Sequence, residues 1–329
     1  MTSVTQNKLR FIKINNNYLG VLFILLHASL DVLFYAICKY DSENNYSNSV
    51  TEEIIFVFAY NFKSLIILII FFLIKYLINN NLSPKEKLSI KIDSANLKIY
   101  VVMSFFSVVG FIIFLYGLQD MMIANAMSIK YIEQILWVIV GVILLNERPN
   151  SKQVLGILVS ISGVGIIIIS HLEAIDKIIT YFLPVVAAIC WTISSNLGKY
   201  LIKNEKNILV HMVYYYMFHV LILCFLFVIF VFYSNITIEE VHINLGSYEF
   251  LIHILSMTFF YKALKVAPIS LLAPFVYVKL IFSALLGYFI FSDIYNSLEL
   301  FAYILITYGG LMVLKTLNHS KFIETGMVK

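Results

Sequence analysis

The chain has 329 residues, 61% of them hydrophobic and 13% charged, with a net charge of +4 and a mean hydropathy of +0.90. That charged share is about half that of an ordinary soluble domain, which argues against a soluble globule and for a lipid-embedded chain. The small positive charge points to no nucleic-acid partner, because the charges sort by loop. The three cysteines, Cys38, Cys190 and Cys224, have neither metal nor disulfide spacing.

Residues 1–17 are polar and basic (Lys8, Arg10, Lys13) and read as a cytoplasmic tail. The apolar run that follows lacks a small-residue cleavage site, so it reads as a retained first helix and not a signal peptide. Hydropathy places ten spans at about 18–37, 54–78, 97–118, 123–145, 151–170, 180–201, 210–233, 248–265, 268–291 and 298–317. Each must satisfy its own backbone hydrogen bonds in lipid, so each is expected to be a helix. Residues 318–329 form a second cytoplasmic tail. With the N-terminus inside, most of the 23 Lys and Arg fall in alternate, cytoplasmic segments, including Lys85, Lys87, Arg148, Lys152, Lys203 and Lys321. The outside segments hold only Lys39 and Lys177, with acids such as Asp41, Asp120, Glu239 and Asp293. The positive-inside rule then expects a multi-pass protein of the cytoplasmic (inner) membrane with both termini cytoplasmic.

The stretch Ala124–Asn150 returns, without a gap, as Ser270–Asn296. Tyr131 answers to Tyr277, Gly141 to Gly287, Glu147 to Asp293, Glu133 to Lys279, and further on Gly163 to Gly309. A fixed offset of this kind marks an internal repeat. Five helices per copy is an odd number, so the second copy enters from the opposite side. The expected fold is all-α: ten transmembrane helices as two inverted five-helix repeats, residues 18–170 and 180–317, joined by an outside linker at 171–179. Pro149, Pro184 and Pro268 are placed at or near helix starts, and Pro274 is placed inside the ninth span as a kink. Such interruptions often border substrate in transporters, and a plain packing kink is the other reading.

Ionisable groups inside spans are costly unless paired or wet. They are Asp31, Lys63, Lys130, Glu133 and Lys279, with His27, His219 and His253 as weaker cases. Lys130, Glu133, Gln134 and Trp137 share about a 100° arc of one helix, a polar face suited to a central cavity. Glu133 and Lys279, related by the repeat, are expected to pair, either as glue between the halves or as a clamp that exchanges with cargo. Lys130 could instead neutralise Glu133. Lys63 is the candidate partner of Asp31. Trp137, Trp191, Tyr131 and Tyr277 could stack a planar compound or simply pack. The acidic corners at Glu147 and Asp293 are read as complements to helix dipoles. Gly156, Gly163, Gly165, Gly309 and Gly310 are read as close-packing positions that leave a homodimer open. There is no HExxH, phosphate loop, nucleophile elbow or Cys pair, so neither an enzyme nor a cofactor is expected.

These features resemble the drug/metabolite transporter superfamily of EamA type. The resemblance rests on the two five-helix repeats, the acidic corners at Glu147 and Asp293, the run from Ala273 to Asp293, and the phrase from Cys190 to Lys199. It covers residues 18–317. Within it, Asp31-Val32 and the cadence of Ala273–Phe291 are similar to the S-adenosylmethionine uptake transporters of intracellular bacteria. The chain departs where that pattern carries Arg (here Val276) and an acid or Gln (here Lys279), and near Asn61, with Lys63 close by. The resemblance implies alternating-access transport of a small polar metabolite. The favoured cargo is S-adenosylmethionine, exchanged for S-adenosylhomocysteine or coupled to a proton or sodium ion. Asp31 and Glu133 would then attract the cationic part and Lys130 or Lys279 the carboxylate. An amino-acid exporter of the same fold and a non-transporting membrane scaffold are the alternatives.

Overall fold

A computed structural model describes residues 3–45, 50–79, 94–133, 135–136, 151–170, 175–204, 207–234, 248–267, 272 and 275–324. Among them are ten helices and no strand: α1 Ser3–Asn45, α2 Val50–Asn79, α3 Ser94–Gln119, α4 Ile123–Lys130, α5 Ser151–Ile169, α6 Ile175–Asn204, α7 Ile208–Ser234, α8 Glu249–Val266, α9 Val278–Phe291 and α10 Ser297–Glu324. Five contain stretches long and apolar enough to cross a membrane: Tyr18–Asp41, Ile54–Leu77, Asn96–Gln119, Ile179–Ile202 and Ile208–Ile229. Val154–Ile169, Val278–Phe291 and Ser297–Met312 are shorter apolar helical stretches.

Several expectations change at helix ends. α1 begins at Ser3, ahead of its apolar stretch, and α10 runs on to Glu324. Pro184 is not at a helix start but well inside α6, which begins at Ile175. A proline there removes one N–H, and with it the intrahelical bond to the carbonyl of Thr180. Gly117 of α3 approaches this turn so closely that a Cβ would lie 3.0 Å from Leu183 Cβ and 3.4 Å from that carbonyl oxygen. Pro149, Pro268 and Pro274 lie outside the described residues, as does the Glu147 corner.

Several polar side chains within the helices are satisfied by their own helix. Ser64, Ser128, Thr192 and Asn61 donate to carbonyls four residues back, at 2.6–2.8 Å. In lipid this spares a polar group the search for a distant partner. The apolar positions divide between outward faces (Ile70, Phe71 and Leu73 of α2; Phe225 of α7) and an aromatic-rich interior around Phe34, Tyr60 and Phe114.

The packing partners are α1 with α8, α3 with α6, α2 with α7, α4 with α9, and α5 with α10. The α5–α10 crossing is backbone on backbone. Ser160 donates to Ile306 O at 3.2 Å, and Gly309 sits against Gly156 O and Ser160. Gly163 meets Ala302 and Ile306 in the same crossing. Gly165 does not serve packing, since a Cβ there would meet nothing within 4 Å.

The Asp293 corner also departs from its dipole role. α9 ends at Ser292 in the left-handed region (φ 57°), and the Asp293 N–H closes the turn by donating to Gly287 O at 3.1 Å. The start of α10 is capped instead by Asn296 and Glu299. The Glu299 N–H donates to Asn296 Oδ1 at 2.8 Å, and the Asn296 N–H donates to Glu299 Oε2 at 2.9 Å, a capping box. Glu299 is fully buried and also accepts from Asn125 Nδ2 at 2.6 Å, while Tyr303 donates to Asn125 Oδ1 at 2.6 Å. This network ties α4 to α10. Glu299→Ala is therefore expected to destabilise the protein by about 2–3 kcal/mol, through two donors left unpaired and a cap lost. A thermal unfolding curve checks it, and an unchanged midpoint would rule the network out as a fastening.

Candidate functional site

The helices cross around a central cavity of about 120 Å³. α1 supplies one polar stripe to it. His27, Asp31 and Tyr35 are spaced by four, which keeps them on one helix face, and all three line the cavity. α9 crosses α1 and places Lys279 against that stripe. Lys279 Nζ donates to Asp31 Oδ2 at 2.7 Å and to His27 Nε2 at 3.1 Å. An ammonium can only donate, so Nε2 accepts. The His27 proton is then on Nδ1, which lies 2.9 Å from Ser256 Oγ and 3.2 Å from Ser256 O on α8.

Lys130, at the end of α4, stands 3.8 Å from the same Asp31 oxygen and donates to the Tyr35 hydroxyl at 3.2 Å. Its ammonium is also 4.1 Å from the Trp191 ring centroid, 4.5 Å from Tyr35 and 5.3 Å from Phe114. Three rings thus form an aromatic cage around a cation. Asp31, Lys279 and His27 are all buried. One carboxylate therefore serves two ammonium groups from helices in different halves of the sequence, and Glu133 lines the same cavity.

Two expected pairings are corrected. Lys279 pairs with Asp31, not with Glu133, because α1 packs across α9 and brings Asp31 within hydrogen-bond reach. Asp31 is not partnered by Lys63. Lys63 lies away from the cavity, with its ammonium 5.7 Å from the Phe250 ring centroid.

Tyr131 and Tyr277 do not line the cavity. Each sits at a break, Tyr131 just after α4 and Tyr277 just before α9. Their ring centroids are 5.1 Å apart with the planes tilted by 32°, and the Tyr131 hydroxyl donates to Val276 O at 3.0 Å. They fasten the α4–α9 crossing, and Tyr277 also fills the space left open by Gly310 of α10. The described break in the ninth span is thus at Tyr277, while Pro274 itself is outside the described residues. The side chains of Gln134 and Trp137 also lie outside them.

The structure adds residues that stood as weaker cases in the sequence. His27 contacts the ion pair directly, and His219 and His253 line the cavity with Tyr215. Spacing was the available signal: His27–Asp31–Tyr35, Tyr215–His219 and Trp191–Ser195 each repeat at four, and all line the cavity. Chemically, the arrangement offers a carboxylate that can exchange one cation for another, two ammonium groups that can take an anion, and an aromatic cage. Among the described residues no group of His, Cys, Asp and Glu could hold a metal ion.

No curated protein matches the chain. Among solved structures, a crystal structure shares its fold with a TM-score of 0.56 at 14% sequence identity, over 92% of this chain and 97% of that one. Residues 18–169 match the EamA-like transporter family, a match that supports the drug/metabolite transporter superfamily and a multi-pass membrane protein that carries small molecules.

Proposed function

We propose that the protein is a secondary transporter that moves a small polar metabolite across the cytoplasmic membrane by alternating access. The observation that carries this reading is the buried Lys279–Asp31–Lys130 cluster in a central cavity. Charges at such depth are expensive, and in membrane proteins they mark substrate and ion paths. The helix pairing supports two inverted repeats, 18–170 and 180–317. If each helix is matched to the one five further on, the α1–α8 contact becomes α6–α3, while α2–α7, α4–α9 and α5–α10 map onto themselves. The Tyr131–Tyr277 ring contact and the Ser160–Ile306 bond join positions at the repeat offset. With both termini cytoplasmic, ten spans satisfy the loop charges.

S-adenosylmethionine is the favoured cargo. Its sulfonium suits the aromatic cage now holding Lys130, and its carboxylate suits whichever ammonium leaves Asp31. The cavity is smaller than the roughly 300–1,000 Å³ of common ligand pockets, so the two halves part to admit such a compound. Cargo that takes over one partner of Asp31 would supply the differential binding energy for that change. The test is uptake of labelled S-adenosylmethionine into proteoliposomes, with and without S-adenosylhomocysteine inside. Internal S-adenosylhomocysteine is expected to accelerate uptake several-fold. No uptake by folded, inserted protein would remove this cargo and turn the search to amino acids and ion gradients.

A further inference from the structure

His219 of α7 also lines the cavity, is 3% exposed, and touches none of Asp31, Lys130 and Lys279. Its Nδ1 is 2.7 Å from the carbonyl oxygen of Tyr215, one turn back on the same helix. A carbonyl only accepts, so Nδ1 carries the proton. A buried ring with no carboxylate against it stays neutral, which leaves a lone pair on Nε2. That nitrogen is buried and has no hydrogen-bond partner among the described residues. Nδ1 is turned back onto its own helix, so Nε2 is the outer edge of a ring that lines the cavity. Around it stand the Tyr215 ring, at 3.9 Å between centroids, and the Tyr215 hydroxyl paired with Ser107 of α3 at 3.0 Å. Of the other two imidazoles that line the cavity, His27 is used on both nitrogens, by Lys279 and Ser256, and His253 Nδ1 pairs with the Tyr216 hydroxyl at 2.7 Å.

A buried acceptor without a donor is costly, and of the five buried unpartnered polar side-chain atoms among the described residues only His219 Nε2 belongs to a residue that lines the cavity. We infer that His219 Nε2 is the cargo's second contact, accepting a hydrogen bond from an uncharged N–H or O–H group at the end of the cargo remote from its ionic group. This rests on reading the cavity as the transport site. It narrows the cargo to organic ions that carry such a donor, and it disfavours ions of the same size whose far end is purely apolar. The expected discrimination is about tenfold to a hundredfold, since an apolar end leaves the acceptor buried and unpaired.

The test has two arms on the full-length protein. First, His219→Phe is melted without added compound. Phe keeps a ring and removes the lone pair, so the midpoint is expected to stay or rise. A fall of more than about 5 °C would make His219 a structural group and overturn the assignment. Second, uptake of labelled S-adenosylmethionine is competed by the unlabelled compound and by an analogue lacking the exocyclic amine of its purine. In the wild type the analogue is expected to compete at least tenfold less well. In His219→Phe the two are expected to compete alike, and His219→Gln, whose amide oxygen accepts, to recover part of the difference. Equal competition in the wild type, or an unchanged preference in His219→Phe, would overturn it. Wild-type protein that takes up no S-adenosylmethionine counts against the proposed cargo and not against His219, whose role the melting arm then decides.

Discussion

Asp31→Asn is expected to lower flux by about a hundredfold and stability by about 3–5 kcal/mol, the cost of leaving a buried charge without its partner. The change keeps the size of the side chain and removes only the charge. Two ammonium groups, Lys279 at 2.7 Å and Lys130 at 3.8 Å, then share no carboxylate at that point. Lys279 retains only neutral acceptors, His27 and the amide oxygen at position 31. The paired change Asp31→Asn with Lys279→Met removes both members of the tighter contact and is expected to regain most of the stability, because a buried ion pair replaced as a whole is often neutral. It is not expected to regain flux. Melting curves and uptake on the single and double variants check both statements. Full flux in the stable double variant would show that the ion cluster is only a fastening.

The second large effect concerns backbone contact, with a matched control in the same helix pair. Gly309→Ala is expected to destabilise the protein by about 2–3 kcal/mol, the scale of overpacking a closed interface. Its Cβ would lie 2.5 Å from Gly156 O and 2.7 Å from Ser160 N, and backbone atoms can yield only if α5 and α10 separate. Gly165→Ala is expected to be neutral or to stabilise by up to about 1 kcal/mol, because its Cβ would meet open space and the unfolded chain loses freedom. Unfolding midpoints of the two variants side by side check the contrast. Equal responses would mean that α5 and α10 do not meet at Gly309.

Positions 146 residues apart meet in these contacts but not in the ion pairs. Gly163 and Gly309 stand in one crossing, and the Tyr131 and Tyr277 rings lie 5.1 Å apart, as the proposed relation between the two halves would require. Glu133 and Lys279 are related in the same way, yet Lys279 is held by Asp31. A shared offset does not choose the partner, which depends on the third helix that packs across, here α1. Hydropathy located the five stretches long and apolar enough to cross a membrane but not the helix ends. An α-helix continues past the membrane when its backbone has no reason to stop, as α1 and α10 do. The polar residues were the hardest to sort. Ser64 and Thr192 are satisfied by their own helices. His27 and His219, the weaker cases in the sequence, stand at the cavity, legible only from their spacing of four to Asp31 and Tyr215.

The most direct test of an alternately exposed central cavity is thiol labelling at Ser195, which lines it on α6. Cys38, Cys190 and Cys224 are first replaced, and Ser195→Cys is introduced in proteoliposomes of known orientation. A membrane-impermeant thiol reagent is then added from one side or the other. The transporter account expects labelling from both sides, slowed by S-adenosylmethionine on either. Labelling from one side alone, or from neither, would contradict it.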